Sequence, residues 1–336
     1  MIYYLLTERG DHTFRDSPIL DDPRLAGRFE VVTYTEAFRR RHWQGGSIVF
    51  SDIDRLMPAD MLRATLLYRR LRRARGRMRL LNHPTRTASR YTLLRRLYEA
   101  GINRHNVYRV DEEPRRQRFP VFLRSDSRHD GPYTDLIHDG DTLDAEIWRL
   151  TSLGLDPRDL LIVEYFDTAD DRGVYRKCTA FVVGDAIFQR YMCFGDRWVV
   201  SPPRTGDVQR LRDEQSMIDE EAGYVGADTW LPVLRRVAEL GGLGFGRIDF
   251  GIKDGRPEIW EANTNPDPAA SRYAELGGRE ERNVPIGRRF LRDALAALDD
   301  DAAHATAIEI DTPPATSDWY DWFKDDVRQR IGKSAG

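Results

Sequence analysis

The sequence predicts an α/β protein in which a small parallel α/β unit comes first and α+β segments follow. Over residues 1 to about 80, short apolar strands alternate with helical patterns, as in a parallel sheet with crossover helices. Beyond them, two strand–turn–strand units at 175–192 and 244–266 turn at Gly184-Asp185 and Asp254-Gly255, and helices fall between them. A chain of 336 residues is also long for one core, so two or three domains are expected.

Composition excludes several classes. With 40% hydrophobic and 32% charged residues the chain is of ordinary globular type. A net charge of −3 argues against nucleic acid or a membrane surface as a general partner. No run of about 18 apolar residues marks a membrane span. The first residues, Met1 to Glu8, lack the basic start of a signal peptide, which points to the cytoplasm. Cys178 and Cys193 could form one bridge but are expected as reduced core residues, and no Cys/His spacing suggests zinc.

In chain order, strands are expected at Ile2–Leu6, Phe29–Tyr34, Ser47–Ser51 and Leu80–Asn82, with a helix from Pro58 to about Arg75 whose leucines keep helical spacing. That helix runs into an arginine-dense stretch, Arg69, Arg70, Arg72, Arg73, Arg75, Arg77 and Arg79, read as a solvated face and not as a nucleic-acid patch. Pro84 halts the fourth strand. Thr87 or Ser89 can cap a helix over Tyr91–Ala100 that Gly101 stops. Phe119–Arg124 is a strand ending on a cation, followed by a loop holding Arg128 and His129, both read as not catalytic; His83 and His105 are read as structural. Thr142–Leu150 is an amphipathic helix, with room for one more turn to Leu153 before Gly154, and Leu160–Asp167 an apolar strand. Tyr175–Asp185 and Ala186–Met192 form the first hairpin, with Trp198–Val200 as a third strand. Helices are expected at Asp213–Tyr224, Trp230–Leu240 and Arg288–Leu298, and Asp299–Asp301 marks a boundary. The tail holds Pro313-Pro314 and closely spaced aromatics, Trp319 to Phe323, expected to dock on the body or a partner.

The second hairpin is where chemistry concentrates. Gly244 to Ile252 and Pro257 to Pro266 read as core strands, yet they carry Arg247, Asp249, Glu261 and Asn263. Carboxylates in half-buried strands are costly unless paired. Side chains alternate, so Arg247, Asp249 and Gly251 share a face, as do Ile259, Glu261 and Asn263. A strict two-residue Asp254-Gly255 hairpin would pair Asp249 with Trp260 and put Glu261 on the opposite side. An odd-length loop with Gly255 in the left-handed position would bring them together, and that is the expectation. Asp249, Glu261 and the Asn263 carbonyl then supply the hard oxygens that Mg²⁺ prefers.

Gly-Phe-Gly-Arg-Ile-Asp-Phe (244–250) followed by Glu-Ala-Asn-Thr-Asn-Pro (261–266) resembles the metal hairpin of the ATP-grasp superfamily, most nearly that of D-alanine–D-alanine ligase-type enzymes. The pattern departs after Pro266, where those ligases carry Gly and this chain has Asp267-Pro268. The resemblance covers about 82 to 300. It implies an N-terminal α/β domain at 1–83 and two α+β subdomains, 84–160 and 161–300, that clasp ATP between them, with a tail at 301–336. It places Arg90 and Arg124 near the nucleotide phosphates and makes Glu164, Tyr165 and Phe166 the hinge that meets the adenine. Asp167 is a candidate for the ribose. It puts Asp249, Glu261 and Asn263 on Mg²⁺ and gives Arg247 the catalytic charge that neutralises an acyl phosphate. Lys177 is read for ATP, and Arg190 and Asn265 for substrate.

The implied function is an ATP- and Mg²⁺-dependent ligase that activates a carboxylate as acyl phosphate and joins it to an amine, with small-molecule or peptide substrates and a possible homodimer. The rivals are a small-molecule kinase on the same scaffold and a non-catalytic nucleotide-binding protein. Substrate identity is not legible in the sequence.

Overall fold

The computed structural model describes residues 1–10, 14–15, 17–74, 78–112, 116–200, 215–268, 282–299 and 307–312. Four all-parallel strands, β1 (Ile2–Leu6), β2 (Phe29–Thr33), β4 (Gly46–Phe50) and β5 (Met78–Leu81), form a sheet in the order β2-β1-β4-β5. The central β1 and β4 are buried along their whole length because both faces are covered, as their unbroken apolar runs require. Ile2, Tyr4 and Leu6 pack toward the rest of the chain, whereas Tyr3 and Leu5 pack under the helix α2 (Pro58–Arg73) with Leu67 and Leu71. A short helix α1 (Tyr34–Ala37) opens on a Thr33/Glu36 capping box. A strand β3 (His42–Gln44) lies between α1 and β4 and pairs with β13 (Ala307–Glu309) from the chain's end; neither is expected from the sequence.

Helix α3 (Arg90–Glu99) is capped by Ser89, whose oxygen accepts from the Thr92 N–H at 3.3 Å. The next sheet is antiparallel, in the order β6-β8-β7: β6 (Val107–Arg109), β7 (Val121–Ser125) and β8 (Leu160–Glu164), covered by α4 (Gly140–Ser152) through Leu143 and Leu150. The last sheet, β10-β9-β11-β12, comprises β9 (Tyr175–Val183), β10 (Ala186–Gly195), β11 (Phe245–Lys253) and β12 (Arg256–Asn263). Its two faces enter different cores. Ile248 and Phe250 join leucines of α3 and of α6 (Leu231–Gly241), whereas Phe181 and Phe245 meet Tyr4 and Leu6 of the parallel sheet and Leu291 of α7 (Val284–Ala296).

Several expectations are corrected. Trp198–Val200 is not a strand; Trp198 instead packs on Phe122 at 4.8 Å. The hairpin loop is the strict two-residue turn: Lys253 pairs with Arg256, and Asp254 and Gly255 sit at φ 53° and 67°, as a type I′ turn demands. The odd residue lies within the strand. The ladder shifts so that Phe250 faces Ile259 and Asp249 faces Glu261, leaving Trp260 as the extra residue of a β-bulge. Asp249 and Glu261 therefore share a face as expected. Ile259 does not share it, because the bulge turns it into the core with Phe250.

The start of the helix expected from Asp213, residues 300 and 301 of the acidic boundary, Arg75, Arg77, Pro313-Pro314 and the aromatics at 319–323 lie outside the described residues; α5 (Gln215–Tyr224) is the described part of that helix.

A polar clamp fixes β12 to the loop after α3. Asn103 exchanges hydrogen bonds with both backbone groups of Ile259 at 2.9 Å, and the fully buried Glu258 accepts from the Arg104 backbone and guanidinium and faces His105 Nδ1 at 3.1 Å. Burial alone would raise the Glu258 pKa, but His105 and Arg104 outweigh it and hold it below the usual glutamate value. A depressed folded-state pKa contributes stability that is present above the unfolded value of about 4.3 and lost as pH falls through the folded one. Glu258→Gln is expected to cost about 1–3 kcal/mol at neutral pH and to flatten the acid limb of thermal stability below about pH 5. Thermal melts of the two proteins across pH 3–7 (roughly the carboxylate range) check this; parallel curves would reject the clamp.

Candidate functional site

Two features of sequence shape the strand that carries the site. Gly246 sits at φ 156°, and a Cβ there would stand 2.7 Å from the Asn263 carbonyl, so only glycine lets β11 lie this close to β12. Gly251 leaves room for the bulged Trp260, whose ring a Cβ would meet at 2.6 Å. Between them Arg247 and Asp249 face the same way as Glu261 and Asn263, with Asp249 opposite Glu261 and Arg247 opposite Asn263.

Both carboxylates are buried and paired with cations. Asp249, with no exposed surface, takes a two-pronged contact from Arg247 at 2.6 and 2.8 Å and a third from Lys177 Nζ at 2.9 Å. Burial opposes the charge on Lys177, yet Asp249 wins and raises its pKa. Glu261 receives Arg90 at 2.6 Å and Arg124 at 2.8 Å, with His129 Nδ1 at 3.7 Å. Burial alone would raise its carboxyl, but these cations hold it well below the usual carboxylate range. Burial and then neighbouring Arg90 push the Arg124 guanidinium down to about 10. His129 also pairs with Asp54, from the loop after β4; burial works against its charge, but Asp54 and Glu261 overcome this and push its pKa up to about 9.

The result is a cluster of five cationic groups (Arg90, Arg124, His129, Lys177, Arg247) around three acids (Asp54, Asp249, Glu261). Its surplus of positive charge is set to receive an anion.

A cavity of about 440 Å³ opens beside it, lined on the charged side by Arg124, His129, Lys177, Asp249 and Glu261. Its other wall is aromatic: Phe122, Tyr165, Phe166 and Trp198, the last edge-on to Tyr165 at 5.8 Å. A flat apolar ring bearing a charged tail matches both walls. Glu164 lines the cavity too, but its carboxylate is spent on the Asn106 and Arg118 backbone and the Arg118 guanidinium, so it braces the end of β8. Asp167 accepts from the Tyr165 hydroxyl at 3.1 Å and the Ala169 N–H at 3.0 Å.

The residues read for substrate lie apart from this cavity's lining. Arg190 is the bulge residue of β10, buried, stacked on Phe181 at 4.5 Å and donating to the Pro268 carbonyl. Burial pushes its pKa down to about 10, and its Nη1 has no hydrogen-bond partner. Asn265 bonds the Tyr4 hydroxyl at 3.0 Å and the Gly10 carbonyl at 3.3 Å, which ties the end of β12 to the parallel sheet. Asn263 Oδ1 accepts from the Asn265 N–H at 2.8 Å.

Sequence reasoning set His129 aside and did not single out Asp54, though both stand at the charged centre. A signal was present for Asp54: Ser-Asp-Ile-Asp (51–54) follows a buried parallel strand, and ligands gather at the carboxyl ends of such strands. Asn82, expected only as the last residue of a strand, stands in the left-handed conformation at φ 60°; its side chain holds the Phe50 and Phe245 carbonyls and the Gly244 and Phe245 N–H groups, joining β5 to the start of β11.

Among the described residues no cluster of three or more His, Cys, Asp or Glu side chains forms a metal site. Two acids and an amide carbonyl remain as hard oxygen donors, a set that fits an ion sharing its shell with phosphate oxygens and water. No described helix is long and apolar enough to cross a membrane.

No family model matches the sequence, and no curated protein matches it. Among solved structures the chain is similar to D-cycloserine synthetase DcsG, at 17% identity and TM-score 0.45, covering 88% of this chain and 99% of that one. It is similar to a RimK domain ATP-grasp protein from Sphaerobacter thermophilus at 17% identity and TM-score 0.43 (86% and 99% covered). A D-alanine–D-alanine ligase from Bacillus anthracis complexed with ATP matches at 11% identity and TM-score 0.43 (87% and 98%).

Proposed function

We propose that this chain is an ATP- and Mg²⁺-dependent ligase of the ATP-grasp type that joins a carboxylate to an amine, with the domain division 1–83, 84–160, 161–300 and 301–336. The observation that carries this reading is the pair of buried carboxylates set opposite each other by the Trp260 bulge, facing a cavity with one cationic and one aromatic wall. The aromatic wall of Phe122, Tyr165, Phe166 and Trp198 takes the adenine, with Asp167 near the ribose. Arg90, Arg124 and Lys177 exchange their carboxylate partners for phosphate oxygens. Asp249, Glu261 and the Asn263 carbonyl are the residues that hold Mg²⁺, which when bound neutralises phosphate charge.

The chemistry runs in two steps. A substrate carboxylate oxygen bonds to the γ-phosphorus and ADP leaves. The amine nitrogen then bonds to the acyl carbon, phosphate leaves and the nitrogen loses a proton. Arg247, on the face of Asp249, supports the negative charge of both stages. Arg190, with an unsatisfied buried donor, and Asn265 are the residues proposed for substrate.

The test is a screen of ATP turnover over carboxylic acids with and without amines. The ligase reading expects ADP and inorganic phosphate in equal amounts and an amide product that requires the amine. ADP with a stable phosphorylated product makes the protein a kinase. Absence of turnover alongside ATP binding makes it a non-catalytic nucleotide binder.

A further inference from the structure

Helix α2 carries apolar residues on two sides, and the described cores use only one of them. Ala64, Leu67 and Leu71 pack with Tyr3, Leu5 and Phe50 under the parallel sheet. At 3.6 residues per turn, Leu62 and Leu66 fall on the opposite side of the helix, one above the other. Both are half-buried, yet neither belongs to an apolar cluster among the described residues. Arg69, Arg70 and Arg73 continue that side to the end of the helix. Arg69 and Arg73 are exposed and make no ion pair or hydrogen bond among the described residues, in contrast to Arg63 and Arg70.

This outward side is where the end of the described chain arrives. Strand β13 pairs with β3, and Ile308 and Ile310 enter the core that α2 covers. The Arg70 guanidinium then donates to the Asp311 carbonyl at 2.6 Å, so the backbone passes one helical turn beyond Leu66. Residues 313–336 lie outside the described residues, but their sequence sets Trp319, Tyr320, Trp322 and Phe323 among Asp318, Asp321 and Asp325. Trp319 follows Asp311 by eight residues, about 26 Å of extended chain. Leu66 and Leu62 stand only about 6 and 12 Å along the helix from Arg70. The segment therefore reaches both leucines with chain to spare. Its rings are the large apolar groups that such a stripe would cover, each able to remove about 150–250 Å² from water. Its aspartates are opposite in charge to Arg69 and Arg73, and a guanidinium also stacks on an indole face.

We propose that the aromatic segment 319–323 docks on the outward side of α2 of its own chain, its rings against Leu62 and Leu66 and its aspartates toward Arg69 and Arg73. The inference does not depend on the ligase reading. It also gives the arginine-dense end of α2 a partner within the molecule.

The experiment is limited trypsin digestion of the full chain followed by intact mass, with the cut after Lys324 as readout. Docking shields that bond, so the cleavage rate follows the fraction of undocked segment. Leu62→Asp/Leu66→Asp and Trp319→Ser/Trp322→Ser are each expected to speed the cut by about ten-fold or more. Arg69→Glu/Arg73→Glu, which alters only exposed charges, is expected to speed it about three-fold at low salt and less at high salt. In the original protein the rate should be the same over about a hundred-fold range of protein concentration, as docking within one chain requires. Thermal melts identify which variants fold. An unchanged rate in either folded α2 variant would overturn the proposal, as would acceleration in the Trp319→Ser/Trp322→Ser protein alone. Protection that grows with protein concentration would also overturn it, because the segment would then sit on a second copy.

Discussion

Asp249→Asn is expected to lower ATP turnover by about 10³-fold or more while the protein still folds cooperatively. The side chain keeps its shape, but its charge goes, and Asp249 has no exposed surface from which water could replace it. Arg247 loses the two-pronged contact and Lys177 its carboxylate partner, so two cations face each other with little between them. Removing one partner of a buried ion pair costs about 3–5 kcal/mol, and a lowered melting temperature should accompany the kinetic loss. ADP release with the best substrate pair, measured beside a thermal melt, checks both. An Asp249→Asn protein that turns over ATP at the original rate would remove Asp249 from the metal set and the ligase reading with it.

The second large effect is expected at Arg90. This guanidinium donates to the carbonyls of Ser125, Asp126 and Arg128 and to Glu261, so one side chain holds the whole loop that carries His129. Arg90→Ala leaves three carbonyls without that donor and removes a buried counter-charge from Glu261, an expected loss of about 3–5 kcal/mol. Arg90→Lys restores the charge but not the fork, and it should recover part of the stability while leaving nucleotide affinity at least about ten-fold weaker. Melting temperature and equilibrium nucleotide binding separate these effects. Unchanged nucleotide affinity in the Arg90→Lys protein would show that Arg90 serves the loop alone.

Much of the site was legible because it is local. Arg247, Asp249, Glu261 and Asn263 stand out as polar residues at alternating positions in strands that otherwise read as core, and alternation depends only on residues two apart. The Asp254-Gly255 turn was visible for the same reason. Its loop length was misjudged, because the extra residue that aligns the acids is Trp260, six residues past the turn's start. A bulge is chosen by what packs on each side of the sheet: Ile259 is drawn into the core beside Phe250, and Trp260 is accommodated against Gly251. Nothing in the local sequence states that choice.

The sequence by itself determined the parallel first sheet, the Asp254-Gly255 turn and the identity of the acids, since each follows from periodicity, turn chemistry or a residue's own donors and acceptors. Only the tertiary structure decided which charges meet. Arg90 reaches Glu261 across 171 positions and His129 reaches Asp54 across 75. Contacts at such separation form when separate apolar faces close on shared cores, and the pairing of buried charges then follows from the cost of leaving any of them alone.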